Sequence, residues 1–545
     1  MITSLFAASF LALAVAPPAD LVIDNARIWS DGLAGFEPFA AVRDGRFVYV
    51  GNRDEAWIGP GTQVLDAAGR IVIPGLIDSH VHMLGGGANL AQIQLRDVAD
   101  KEEFIRSVAQ WSNDVRPGKW ILGGRWSVES WLSPESPTKE WIDSVTGDRP
   151  LFLSRMDGHS ALVNSAALRL AGITKDGPED PVGGVIDRDP QTGEPTGILR
   201  ESAMHLVSRF IPESSDDDKV EALRAAMQHA LNHGITAVSD IPSMGDLPAY
   251  ERLAADDGLP MRLFLYPTAD EWESAASRVR RFSGRPGWIE VHGFKAYLDG
   301  SLGSRTAMMR MPFSANRPDQ PNWRGLFAEG VEDGTFARNL AAARQAGMQV
   351  IVHAIGDEAN HFLLNSLTAE FPDLRAARCR SEHTQHLLPE DIQRFGDLGV
   401  IASMQPYHKA DDGRYAEAII GPERSKSSYA YKSLLDAGAV LAFGSDWPVV
   451  SIDPFLGIEA AVTGRTLAGE VWQPQENITV AEALRCYTSR AAYALGKDDE
   501  LGRIAPGYRA DFVILNASPF DLIPDWSAIK PAVVYVEGVL RHESR

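Results

Sequence analysis

The sequence predicts an α/β protein: a (β/α)8 TIM barrel, a composite β-sandwich domain formed by both chain ends, and a large insertion after barrel strand 1. Three observations predict it. A helix–glycine–strand unit recurs through the middle of the chain, both ends are built of short apolar strands, and single polar residues stand where the middle strands should end. A chain of 545 residues has room for one large barrel with attachments. Its 45% hydrophobic and 23% charged residues exclude a disordered chain, a collagen and a coiled coil.

Residues 1–19 read as a signal peptide. The apolar run from Leu5 to Ala16 is shorter than the roughly 20 residues of a bilayer span. Ala14-Val15-Ala16 has the small-x-small form of a cleavage site, with a cut after Ala19 as the alternative; no Lys or Arg precedes the run, which departs from the usual pattern. The expectation is a periplasmic or secreted protein, or a cytoplasmic one if the N-terminus is not a signal. No later stretch reaches membrane-spanning length.

Residues 20–74 carry the strand-like segments Leu21-Val22-Ile23, Phe47-Val48-Tyr49-Val50 and Ile71-Val72-Ile73, with a hairpin turn at Asp44-Gly45. Residues 500–545 repeat the style in Asp511 to Leu515 and Val533 to Val536. Neither end can bury its strand faces alone, so the two are expected to meet in one composite domain.

Residues 75–499 are assigned to the barrel. Asp216 to His233 has helical apolar spacing and an acidic first turn, then Gly234 and the strand Ile235-Thr236-Ala237-Val238. Thr335 to Ala346, Gly347 and Met348 to His353 repeat the plan, as do Pro389 to Leu398, Gly399 and Val400 to Met404. Ser433 to Ala437, Gly438 and Ala439 to Phe443 follow, leading into Gly444-Ser445-Asp446. Such units build a buried parallel sheet, and polar residues at the C-terminal ends of its strands read as catalytic.

Charge and cysteine narrow the chemistry. With 52 Lys and Arg against 73 Asp and Glu the net charge is -21, which argues against binding a nucleic-acid backbone. Two cysteines, Cys379 and Cys486, supply neither a disulfide framework nor a thiolate metal site. The 13 histidines are more informative. His80 and His82 lie two apart on a strand and so point to one side. Lys295 stands in the apolar strand Gly293-Phe294-Lys295-Ala296-Tyr297, while Val350-Ile351-Val352-His353, Ser381-Glu382-His383 and Gly444-Ser445-Asp446 each end on a polar group. Taken singly, a strand histidine is an ordinary core residue, the lysine a snorkelling edge residue, and Gly-Ser-Asp a turn or N-cap. Order and spacing separate the readings. His353 and His383 are 30 residues apart and His383 and Asp446 are 63, matching one and two units of roughly 30 residues. With His80 on strand 1, the others fall on strands 4, 5, 6 and 8. Converging imidazoles and carboxylate suit a divalent metal, above all Zn2+.

The segments PGLIDSHVHM, HGFKAYLDGSLGSRTA, VHAIGD, SEHTQ, SMQPYH and GSDWPV, with LGRIAPGYRADFVIL near the end, resemble the amidohydrolase superfamily, specifically its YtcJ-like branch (amidohydrolase family 3), over almost the whole mature chain. The resemblance implies metal-dependent hydrolysis, with His80, His82, Lys295, His353, His383 and Asp446 at the metal-site positions. It implies one or two ions, with a CO2-derived carbamate on Lys295 bridging them if the centre is dinuclear. His80, His82 and Asp446 would hold the first metal, and His353 and His383 the second. The expected reaction is cleavage of a non-peptide C–N bond (amide, N-acyl or N-formyl) in a small-molecule substrate by a metal-activated hydroxide, with Asp446 as general base and then acid. An esterase or lactonase on the same centre, or a non-catalytic sensor or regulatory protein on this scaffold, are the alternatives. A deaminase is disfavoured because such members typically use one metal without a bridging lysine, and no phosphate-binding motif occurs in a strand–helix context. Neither nucleic acid nor membrane insertion is expected, and a homo-oligomer is compatible with the chain.

From His80 to Lys295 there are 215 residues where three units need about 100, so an inserted subdomain is expected at about 97–204. Trp111, Trp120, Trp126, Trp131 and Trp141 fall within it. They read as its aromatic core, or Trp126 and Trp131 line an apolar substrate pocket. His159, in Arg155-Met156-Asp157-Gly158-His159-Ser160, contacts substrate or holds the subdomain. The excess between Lys295 and His353 reads as a loop at the barrel mouth, in which Met308-Met309-Arg310-Met311 is packing filler or a soft substrate wall. His386 and His408 are further candidates near the mouth, His408 for substrate contact. Glu382 and Gln385 are expected behind the ligands, orienting His383.

Overall fold

The computed structural model describes residues 17–544 except 97, 116–117, 127, 129–130, 132–134, 156–159, 182–183, 257, 315–320 and 523. The expected signal segment up to residue 16 and His159 lie outside the described residues. The chain divides into two compact units, one of residues 1–83 with 227–545 and one of residues 84–226. No described helix is long and apolar enough to cross a membrane.

In the larger unit both chain ends enter one β region. Leu21–Asp24, Phe39–Arg43, Arg46–Gly51 and Gln63–Asp66 form a four-stranded sheet. Arg27–Ile28 and Ile71–Pro74 join Phe512–Leu515, Pro531–Val536 and Val539–Glu543 in a five-stranded one, with Val513 opposite Ile73. The physical reason is a shared core: Leu21, Ile23, Val42 and Phe47 pack in one buried cluster with Phe512, Ile514 and Tyr535.

The rest of this unit carries two parallel sheets. The first has the order β4-β3-β2-β1, from β1 (Leu76–Val81), β2 (Ile235–Asp240), β3 (Arg262–Leu265) and β4 (Ile289–Val291). The second runs β5 (Gly293–Tyr297), β6 (Gln349–Ala354), β7 (Arg380–His383), β8 (Ile401–Met404) and β9 (Leu441–Phe443) in chain order. Every residue of β1, β2 and β7 is buried, as a parallel sheet covered on both faces requires. Helices Thr335–Ala346 and Pro389–Leu398 precede β6 and β8 and end on left-handed Gly347 and Gly399 (φ 68° and 74°), the glycine stop expected between helix and strand.

Among the described residues no continuous ladder closes the two sheets into a barrel. They are linked by separate backbone contacts instead. The Lys295 N–H donates to Pro267 O at 3.3 Å, and at the far edge Asp446 N–H donates to His80 O at 2.7 Å. Gly444 permits that second approach, because a Cβ there would stand 2.5 Å from the His80 nitrogen.

The smaller unit is wider than the expected insertion and holds a six-stranded mixed sheet from Ile93–Gln94 to Pro195–Glu201. Here the aromatic-core reading of the tryptophans holds, and the placing of Trp126 and Trp131 in a substrate pocket is corrected. Trp126 and Trp131 are 4% and 5% exposed, and both belong to this unit's own core. Their indole N–H groups donate to Leu153 O at 3.0 Å and Val98 O at 2.7 Å, and Trp131 stacks on Trp141. With each ring's polar edge satisfied by backbone, the rings fill the core and are not pocket walls.

Candidate metal centre

The strand ends assemble the site. β1 delivers His80, with His82 just past its end; β5 delivers Lys295, β6 His353 and β7 His383, while Asp446 follows β9. His383 and Asp446 both adopt left-handed backbone (φ 75° and 58°), a strained conformation for non-glycine residues that turns each side chain at the strand end. Asp78 pins the two edges together. Its carboxylate accepts from the backbone N–H groups of His80 and Ser445 at 3.0 Å each, and from Ser445 Oγ at 2.5 Å.

Each central imidazole is held by one nitrogen. His80 Nδ1 donates to Glu382, His383 Nδ1 to Gln405 Oε1 at 2.7 Å, and His353 Nε2 to Gly300 O at 3.1 Å. That leaves Nε2 of His80, Nε2 of His383 and Nδ1 of His353 free of these partners. The rings of His353 and His383 are 4.4 Å apart and those of His80 and His383 4.8 Å. Ligand atoms of His80, His383 and Asp446 lie within 4.8 Å of one another. The Lys295 amine is 3.3 Å from His80 Nε2, and His82 Nε2 is 3.1 Å from Asp446 Oδ1.

Electrostatics set the protonation states. Burial, then the Lys295 charge, holds His80 down at about 4 and His353 at about 3; burial, then His353, holds His383 well below the ordinary range. All three are neutral at pH 7, so their nitrogens carry lone pairs. Burial also lowers Lys295 to about 8. For Glu382 burial is outweighed by Arg380 and His80, which keep it ionised at about 2; for Asp446 the His82 hydrogen bond overrides burial, and the carboxylate stays charged. Neutral imidazole nitrogens and a carboxylate converging in a buried pocket are a donor set that fits a divalent cation such as Zn2+.

The residues behind the ligands differ from expectation in one respect. Glu382 and Gln385 do not orient His383: Glu382 holds His80, and Gln385 Nε2 meets His408 Nδ1 at 3.3 Å. Glu382 reaches His80 on β1, whereas His383, at the left-handed end of its strand, meets Gln405 just past β8. Gln405 is the His383 partner. Glu382 is itself fixed by Arg380 Nε at 2.7 Å and Ser403 Oγ at 2.8 Å. Asp299, buried, accepts from the N–H groups of Met308, Ile355 and Gly356 at 2.8 to 3.0 Å and ties the loop after β5 to His353's strand end. Asp78, Gln405 and Asp299 all lie inside the motif segments, which was the available signal. Met308 and Met309 are buried as packing, whereas Met311 is exposed. His386 is buried with Nδ1 on Ser428 Oγ at 2.7 Å.

A cavity of about 1180 Å³ opens beside Lys295, lined by loops after β2 and β3 and by Trp272, Tyr297 and Phe336. The Tyr297 ring lies 4.9 Å from the Lys295 amine and 5.5 Å from the His353 ring. It is two residues from Lys295 on the same strand face, a position the sequence displays without marking it as functional.

A buried histidine-rich centre at parallel strand ends, beside a cavity, defines a candidate metal-binding protein. The chain belongs to the amidohydrolase family, whose model matches residues 63–542, and within it to the YtcJ-like group. It is 39% identical over 95% of its length to Protein LONG AFTER FAR-RED 3 of Arabidopsis thaliana (91% of that protein). It is 33% identical over 86% to putative amidohydrolase YtcJ of Bacillus subtilis (88% of that protein). With the N-substituted formamide deformylase of Arthrobacter pascens it shares 27% identity over 96% of this chain and 98% of that one. An uncharacterized metal-dependent hydrolase from Pyrococcus furiosus superposes with a TM-score of 0.74 at 27% identity, covering 92% of this chain and all of the other.

Proposed function

We propose that the protein hydrolyses a non-peptide C–N bond, in an amide, N-acyl or N-formyl compound, on a zinc centre within a (β/α)8 barrel joined to a composite β-sandwich. The observation that carries this reading is the convergence of neutral His80, His353 and His383 with Lys295 and charged Asp446 beside a cavity. Similarity to the formamide deformylase along nearly its full length supports the choice of bond. Counting β4 and β5 as one strand interrupted at His292 gives eight parallel strands, which supports the barrel. Export, resting on residues 1–19, is part of the proposal.

His80, His82 and Asp446 would hold one ion and His353 and His383 a second. Bound there, the metal supplies an acidified water and polarises the scissile carbonyl. Asp446 would take the proton of the attacking water and return it to the leaving nitrogen. Buried Lys295 would take up CO2 as a carbamate, forming an N–C bond and releasing a proton. Tyr297 packs the substrate's apolar part.

The test is metal quantification with a panel of N-formyl and N-acyl amines and esters, run beside Lys295→Ala. Amine release by the zinc protein, with metal and activity both reduced in the variant, is expected. An enzyme cleaving only the esters refutes the C–N assignment, and full metal with wild-type rates in Lys295→Ala refutes the bridging role.

A further inference from the structure

We infer that Gln405 and His408, at the end of β8, form a subsite that binds a negatively charged oxygen of substrate or product beside His383. The inference rests on the hydrolase reading above and assigns it a further pair of substrate contacts. Gln405 is 1% exposed and His408 9%. Gln405 spends its carbonyl oxygen on His383 Nδ1, so its amide nitrogen is left over, and this buried Nε2 has no partner among the described residues. His408 Nδ1 accepts from Gln385, which places the ring proton on Nε2, and that nitrogen is likewise buried and unpartnered.

Two orphaned donors three residues apart are unfavourable in a folded core, since each has lost its hydrogen bonds to water without gaining a partner. Their position explains their retention. The His408 ring lies parallel to His383 at 6.3 Å between centroids, with an interplanar angle of 7°. Gln405 touches His383 directly. The helix Pro406–Asp412 that carries His408 is anchored by Asp412, which accepts the hydroxyls of Tyr415 and Tyr429 at 2.5 Å each. Both side chains are therefore held next to a candidate metal ligand, where in the hydrolase reading a carbonyl oxygen turning into an oxyanion, or a product carboxylate, would meet their N–H groups. Preorganised donors at that point favour the charged oxygen over the neutral one.

The test is calorimetric titration of the zinc-loaded full chain with acetohydroxamate, a chelating probe with a carbonyl oxygen, alongside metal analysis. His408→Phe keeps a ring but removes the donor. Gln405→Glu keeps an acceptor for His383 and replaces the donor with an oxygen. Each is expected to weaken the probe about tenfold or more with metal content unchanged, the weight of a hydrogen bond to a charged acceptor. His408→Gln, which restores an N–H near the same point, should recover to within about threefold. The inference is overturned if both variants bind like wild type, if wild type does not bind the probe, or if His408→Phe loses metal. Weakened probe binding without hydrolysis of any amide in the panel leaves this subsite standing and removes the C–N reading instead.

Discussion

Replacing Glu382 by Gln tests how the centre is held. Glu382 is fully buried, as is Arg380, and its two oxygens serve three donors: Arg380 Nε on one, His80 Nδ1 and Ser403 Oγ on the other. Arg380 also reaches Ser239 Oγ at 3.1 Å, Ser403 Oγ at 3.1 Å and the Ser79 carbonyl, but these are neutral partners. The glutamine side chain preserves shape yet has one acceptor oxygen, so its NH2 group must face either Arg380 or the His80 side. Two costs follow. Removing the carboxylate leaves the Arg380 charge uncompensated in the interior, which should cost about 3–5 kcal/mol of stability. Loosening His80 should weaken zinc about 10–100-fold, or about 1.4–2.7 kcal/mol. Urea unfolding of the metal-free protein reads the first cost, and competition with a chromogenic chelator reads the second. Unchanged unfolding would sink the ion-pair argument. Unchanged zinc affinity would show that Glu382 does not orient His80.

Three other outcomes are expected. Asp446→Asn should keep most of its metal and lose turnover at least about 100-fold, because the proton carrier is gone; near-normal rates would remove Asp446 from that role. Trp131→Ala should destabilise the smaller unit by about 3–5 kcal/mol, visible in near-ultraviolet dichroism, since the ring is core; a raised KM with intact stability would return Trp131 to the substrate pocket. Glu290 is bonded by His292 Nε2 at 2.8 Å and paired with Lys497 at 3.0 Å, and the His292 bond above all holds its carboxyl down at about 2. A lowered carboxyl stabilises the fold above the unfolded value near 4.5, and the stabilisation fades as pH falls toward 2. Glu290→Gln should therefore cost about 1–2 kcal/mol at pH 7 and progressively less below pH 4.5; a cost independent of pH would contradict the ionic origin.

The order of chemical groups along the chain is legible because barrel-type units repeat. His80, Lys295, His353, His383 and Asp446 stand at strand ends, and a strand's period of two puts His80 and His82 on one side. The joining of the two chain ends is legible for a related reason: neither set of strands can bury both faces alone. The tryptophan-rich segment was ambiguous, since a core and a pocket use the same residues; only the indole acceptors decided it.

The polar residues at the strand ends are therefore readable in their order along the chain. Which nitrogen each histidine offers belongs to tertiary structure, because the partner that fixes it comes from a distant strand: Glu382 holds His80 from 302 residues away, and Gln405 holds His383 from the next strand. Glu382 and His383 take their partners from different strands, so adjacency in sequence pairs Glu382 with the wrong histidine. The pairing was decided by which strands lie side by side, and that is a property of the folded sheet.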